Sequence, residues 1–124
     1  MSARYLQVCT AVPSEDGAGV LARRVVEARA AAAVQVVGPV RSTYRWRGQV
    51  HTTVEWLCLA KTLESRFQEL AALILAYHPY EVPEISATPI SHGSEEYLGW
   101  IAEEVRGAPE APEAAPRGPK RRAE

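Results

Sequence analysis

The run Trp56-Leu57-Cys58-Leu59-Ala60 constrains this chain more than any other stretch. It closes a segment, Gln49 to Lys61, that reads as a strand returning from a hairpin tip at Arg47-Gly48. Side chains of a strand alternate between the two faces of its sheet, and here both the odd and the even positions are apolar. Both faces must therefore be covered. A single layer of helices covers only one of them. The simplest cover for the other is a further copy of the same chain.

The surrounding pattern supplies the helix layer. Tyr5 to Val12 reads as a buried strand ended by Pro13. Ser14 caps a helix that runs to about Ala32, with Glu15 and Asp16 in its first turn and Ala18, Leu21, Ala22, Val25 and Ala28 as its buried stripe. Val34 to Trp46 alternates as a strand, with a bulge or bend at Gly38-Pro39. After the return strand, Thr62 and Ser65 offer caps to a second helix, Ser65 with Gln68 at capping-box spacing. Its stripe is Leu63, Phe67, Leu70, Ile74 and Tyr77, and it stops at His78 because Pro79 follows. Ile85 to Ile90 is a short strand, marked by Pro89 as an edge or an end. Ser94 caps a last helix with Tyr97, Leu98, Ile101 and Val105 as its stripe, stopped by Gly107. The order β-α-β-β-α-β plus a helix defines an α+β chain with the ferredoxin-like split βαβ pattern: a four-stranded antiparallel sheet with both helices on one face. Residues 1–107 form this one domain. Residues 108–124, rich in Ala, Pro and Glu and ending in Lys120-Arg121-Arg122, form a tail expected to be disordered.

Composition narrows the partners. A net charge of −1 over 124 residues creates no field that would draw nucleic acid or a membrane surface. No apolar run reaches the length of a membrane span, and the start of the chain lacks the pattern of a secretory leader. Cys9 and Cys58 show no paired metal-ligand spacing. A cytoplasmic protein with reduced thiols is the expectation. No Ser/His/Asp or Cys/His triad and no phosphate-cradling glycine loop is present, so the expected protein is not an enzyme.

His78-Pro79-Tyr80-Glu81-Val82-Pro83-Glu84 gathers a His, a Tyr and two carboxylates between two prolines. Each proline fixes its own φ and restricts the residue before it, so the segment should be stiff and extended. This heptapeptide resembles the signature of the CutA divalent-cation-tolerance family. The likeness extends over roughly Tyr5 to Arg106, through Cys9-Thr10, Ala31-Ala32-Ala33-Val34, Ser42-Thr43-Tyr44-Arg45-Trp46-Arg47-Gly48, the Leu57 to Thr62 run, and Gly93 with Tyr97-Leu98-Gly99-Trp100-Ile101. The resemblance implies a ferredoxin-like fold assembled as a homotrimer, related in shape to the PII signalling proteins. It also implies a link to copper and other divalent metal ions without an established enzymatic activity. Two positions depart from the family pattern: Ala33 stands where a cysteine is usual, and His51-Thr52-Thr53 where the stretch is commonly acidic.

Cys9, His78 and Glu84 are the candidate metal ligands by resemblance and by chemistry, since thiolate and imidazole suit copper and zinc and a carboxylate can complete a set. Each also has a structural alternative. Cys9 can be a small core residue, His78 can cap the last carbonyls of its helix, and Glu84 can pair with Lys61 or an arginine. A second constellation joins Tyr44, Trp46, Tyr80, Tyr97 and Trp100 with Arg41, Arg45 and Lys61. In a trimer, hairpin residues would meet the proline-rich segment of a neighbour. They would line a cleft for a small anionic ligand or form the subunit interface itself. Two functions follow: a trimeric copper- or divalent-metal-binding tolerance protein, and a PII-like sensor that binds an anion and signals to a protein partner.

Overall fold

The computed structural model describes residues 4–106, so the expected tail and the helix stop at Gly107 lie outside the described residues. Strand β1 spans Tyr5–Val12, helix α1 Glu15–Glu27, β2 Ala33–Trp46, β3 Gln49–Leu63, α2 Phe67–Tyr77, β4 Ser86–Pro89 and α3 Glu95–Glu104. The strands form one antiparallel sheet in the order β2-β3-β1-β4. With its crossover helices, this is the split βαβ arrangement that the element order anticipates.

Local chemistry explains most boundaries. The Ser14 hydroxyl accepts from the Gly17 amide at 2.9 Å and opens α1. The helix ends at Glu27, earlier than the alanine run suggests, and Arg29 takes φ 61°. Ala30 and Ala31 are buried in the turn that follows. Packing of the connection overrides their helical propensity. The start of α2 also differs from expectation. Thr62 is a strand residue, fully buried, whose hydroxyl donates to the Ala30 carbonyl at 2.7 Å. Ser65 lies in a 3₁₀ turn, Glu64–Arg66, and Arg66 at the N-cap makes no side-chain capping bond. Tyr77 is exposed rather than buried, with the Arg24 guanidinium 4.4 Å over its ring. Helix α2 does stop before Pro79, with His78 extended.

The expected irregularity at Gly38-Pro39 is a register shift between Val37 and Val40 against β3. Gly38 is required there, because a β-carbon would lie inside the Trp56 indole. β1 pairs with β3 only from Trp56 to Leu63, so Val40–Trp46 and Gln49–Glu55 continue past the sheet as a two-stranded arm. Arg47 and Gly48, both at positive φ, turn its tip.

The two faces of the sheet differ. Leu6, Val8, Val12, Cys58 and Ala60 pack with Leu21, Val25, Leu70 and Ile74 of α1 and α2 in the main core. On the opposite face, Tyr5 and Leu63 join a second cluster under α3, built on Ala32, Ile101 and Val105. Leu57 and Leu59 point to that face too, in register with Ala11 and Cys9, and belong to neither cluster. They stay partly exposed. The double-sided run is therefore real: Trp56, Cys58 and Ala60 meet the helices, while the leucines do not.

Candidate functional site

The proline-rich segment crosses from the end of α2 to β4 over the far end of this uncovered face, and His78 anchors it. The ring is about nine-tenths buried. Its Nδ1 accepts from the Tyr80 amide at 3.1 Å. Nε2 must then carry the proton, and it donates to the Ala11 carbonyl at 2.7 Å. The side chain thus ties the loop to the end of β1; it does not cap its own helix. Tyr80 stands over the imidazole with centroids 4.9 Å apart. Its hydroxyl donates to Glu55 Oε2 at 2.8 Å. Burial and the Glu55 carboxylate push the phenol up to about 12.

Cys9 and Glu84 come together. Register places Cys9 of β1 opposite Ser86 of β4, two residues beyond Glu84. The thiol lies 3.9 Å from the Thr10 carbonyl oxygen, and it is raised above its ordinary value by burial first and then by the nearby Glu84 carboxylate. Glu84 accepts from the Ser86 hydroxyl at 3.3 Å; among the described residues it pairs with neither Lys61 nor an arginine. Lys61 donates instead to Gln35 at 2.9 Å. Cys9 is half-buried on the face away from the main core, and Cys58 is buried on the core face. The two thiols occupy neighbouring strands with Thr10 paired to Cys58, and each is free. Among the described residues, no three His, Cys, Asp or Glu side chains of one chain form a group that could hold a metal ion. One chain offers the pair Cys9 and Glu84, while both nitrogens of His78 are engaged elsewhere.

The aromatic constellation divides. Tyr44, Trp46 and Tyr80 line one cavity of about 620 Å³ between the arm and the proline-rich segment, together with Glu55, Glu81 and Glu84. The two segments meet within one chain, where Arg47 at the hairpin tip pairs with Glu81 at 3.0 Å. Tyr97 and Trp100 stack on each other at 5.8 Å in the α3 cluster at the other end of the sheet. Arg41, Arg45 and Lys61 do not line the cavity. Within one chain, the charged residues at the cavity are carboxylates among the described residues. Ser42, Tyr44 and Trp46 share one side of the arm and Arg41, Thr43 and Arg45 the other, and of the latter three Thr43 alone reaches the cavity. Glu55 was the residue that sequence reasoning missed. Its signal was its position on the same strand face as Leu57 and Leu59, where a carboxylate needs a buried partner.

These features define a class: a small α+β domain with an uncovered sheet face and an acidic, aromatic cavity at its edge. The family model for the "CutA1 divalent ion tolerance protein" matches residues 6–104. The "Divalent-cation tolerance protein CutA" of Thermus thermophilus is 46% identical over 96 residues, 77% of this chain and 93% of that protein. The "Protein CutA homolog" of Danio rerio is 41% identical over 75% of this chain, but the match spans 62% of that longer protein. The solved Thermus thermophilus structure of a "Divalent cation tolerance protein (Cut A1)" superposes with a TM-score of 0.79 at 44% identity, over 81% of this chain and 97% of that one. The chain belongs to the CutA1 divalent ion tolerance family. No helix among the described residues is long and apolar enough to cross a membrane.

Proposed function

We propose that this chain is a non-enzymatic, cytoplasmic divalent-cation-tolerance protein that works as a homotrimer and takes up copper or another divalent ion as its cargo. The observation that carries the proposal is the β1–β4 register, which sets Cys9 opposite Ser86 and so brings its thiol near Glu84 on the uncovered face. A thiolate beside a carboxylate offers one soft and one hard donor, and deprotonation of the raised thiol would accompany metal binding. One chain supplies too few donors, so the ligand set is completed between copies. The partly exposed Leu57 and Leu59 give those copies an apolar reason to meet. His78 joins the ligand set only by surrendering the bond from Tyr80; otherwise it serves by holding the segment that carries Glu84.

Calorimetric titration with copper tests this. Cys9→Ser and Glu84→Gln should each weaken binding with the oligomer intact. His78→Asn separates its two roles, since loss of stability without loss of affinity assigns it to positioning. Unchanged affinity in both Cys9→Ser and Glu84→Gln would remove the site.

A further inference from the structure

We infer that the cavity between the arm and the proline-rich segment is a binding site for a small organic cation, a guanidinium or an alkylammonium group, adjoining the metal pair through Glu84 but not including Cys9. Three observations converge on it. The first is Glu55, which is 7% exposed yet lines the cavity. Among the described residues its carboxylate receives one hydrogen bond, from Tyr80 to Oε2, and Oε1 receives none. Oε1 is not among the buried unpaired atoms, so it is open to the cavity, where a cation is the strongest partner it can take in place of water.

The second is the composition of the walls. Tyr44, Trp46 and Tyr80 line it with aromatic surface, which attracts cations; the Arg47 guanidinium already lies 5.2 Å from the Trp46 ring centroid, so a ligand at that ring competes with it. Among the described residues, no Lys, Arg or His lines it. Arg47 reaches Glu81 only where both side chains are about seven-tenths exposed, so it leaves the inner carboxylate unanswered. The third is size. A volume of about 620 Å³ falls in the range of small-molecule sites, and it is open enough to admit one. A guanidinium fits best, because its planar fork bonds a carboxylate while its face stacks on an aromatic ring. An anion would meet Glu55 and Glu84 directly, so this cavity within one chain favours a cation.

The site sits on the uncovered face beside Glu84, so in an assembly of copies it opens into the cleft between them. The competing occupant is a basic side chain of a second copy, and the experiment separates the two. Calorimetry on the assembled protein compares n-butylguanidinium with n-butylurea, which has the same shape without the charge. Saturable binding of the guanidinium is expected, with the urea at least about tenfold weaker. Glu55→Gln keeps an acceptor for Tyr80 and should weaken the guanidinium about tenfold. Trp46→Ala, at an exposed position, should weaken it severalfold through lost cation–π attraction. Cys9→Ser should leave it unchanged, so this result stands or falls apart from copper binding. Absence of guanidinium binding, equal binding of the urea, or insensitivity to both Glu55→Gln and Trp46→Ala would overturn the assignment. So would failure to bind accompanied by dissociation of the Glu55→Gln assembly, which would give the cavity to a second copy.

Discussion

Replacing His78 tests the architecture of the site most sharply, because both ring nitrogens are accounted for. His78→Ala deletes the bond to the Ala11 carbonyl and the bond from the Tyr80 amide. Each neutral hydrogen bond contributes about 1 kcal/mol net, and a buried group left without a partner costs roughly 1–3 kcal/mol. The Tyr80 ring loses its aromatic neighbour as well. Water can re-enter near the partly exposed Tyr80 amide, so a total loss of about 2–4 kcal/mol is expected. Asparagine places its carbonyl oxygen near the position of Nδ1 but cannot reach Ala11. His78→Asn should therefore cost about half as much, roughly 1–2 kcal/mol. Denaturant unfolding at one fixed protein concentration measures both, since an oligomer's apparent stability depends on concentration. A His78→Ala protein within about 0.5 kcal/mol of the parent would refute the anchoring role. Equal losses in Ala and Asn would show that the Tyr80 bond contributes nothing.

Other expectations follow from single contacts. Gly38→Ala forces a β-carbon into the Trp56 ring and should cost about 1–3 kcal/mol, read as a lower midpoint in thermal unfolding. Thr62→Val keeps the shape but removes the hydroxyl that serves the Ala30 carbonyl, for a loss of about 1–2 kcal/mol by denaturant unfolding. Burial pushes the Cys58 thiol from its ordinary 9.0 to about 11. The unfolded chain releases that proton first, so this contribution to stability is complete below pH 9 and is lost as pH rises through about 11. Cys58→Ala should flatten the alkaline fall in stability between those values. With a thiol reagent at neutral pH, the half-buried Cys9 should react before Cys58.

The fold was legible because its signals were local and redundant. Ser14 and Ser94 cap their helices as their positions suggest. Pro79 ends α2, and Gly38-Pro39 breaks the β2 register. The misreadings have one cause. Thr62, Ser65 and the alanines after α1 carry local preferences that long-range packing overrules, as the Thr62–Ala30 bond shows. The site was legible only in part. Proximity of Cys9 to Glu84 depends on β1 pairing with β4, which no sequence spacing encodes. Tyr44, Trp46 and Tyr80 do group in one cavity within the chain, where Glu55, Glu81 and Glu84 rather than Arg41, Arg45 and Lys61 stand beside them. The role of His78 was not legible: its acceptor is the backbone of Ala11, and a carbonyl leaves no trace in side-chain identity.

The proposed function requires identical copies to close over Leu57 and Leu59. Sedimentation equilibrium at low micromolar concentration, on the parent and on Leu59→Glu, tests that directly. The predicted result is a parent of three times the chain's 13.6 kDa, and a Leu59→Glu variant that dissociates toward the single-chain mass. A parent sedimenting at 13.6 kDa, or a Leu59→Glu variant as fully assembled as the parent, would contradict it.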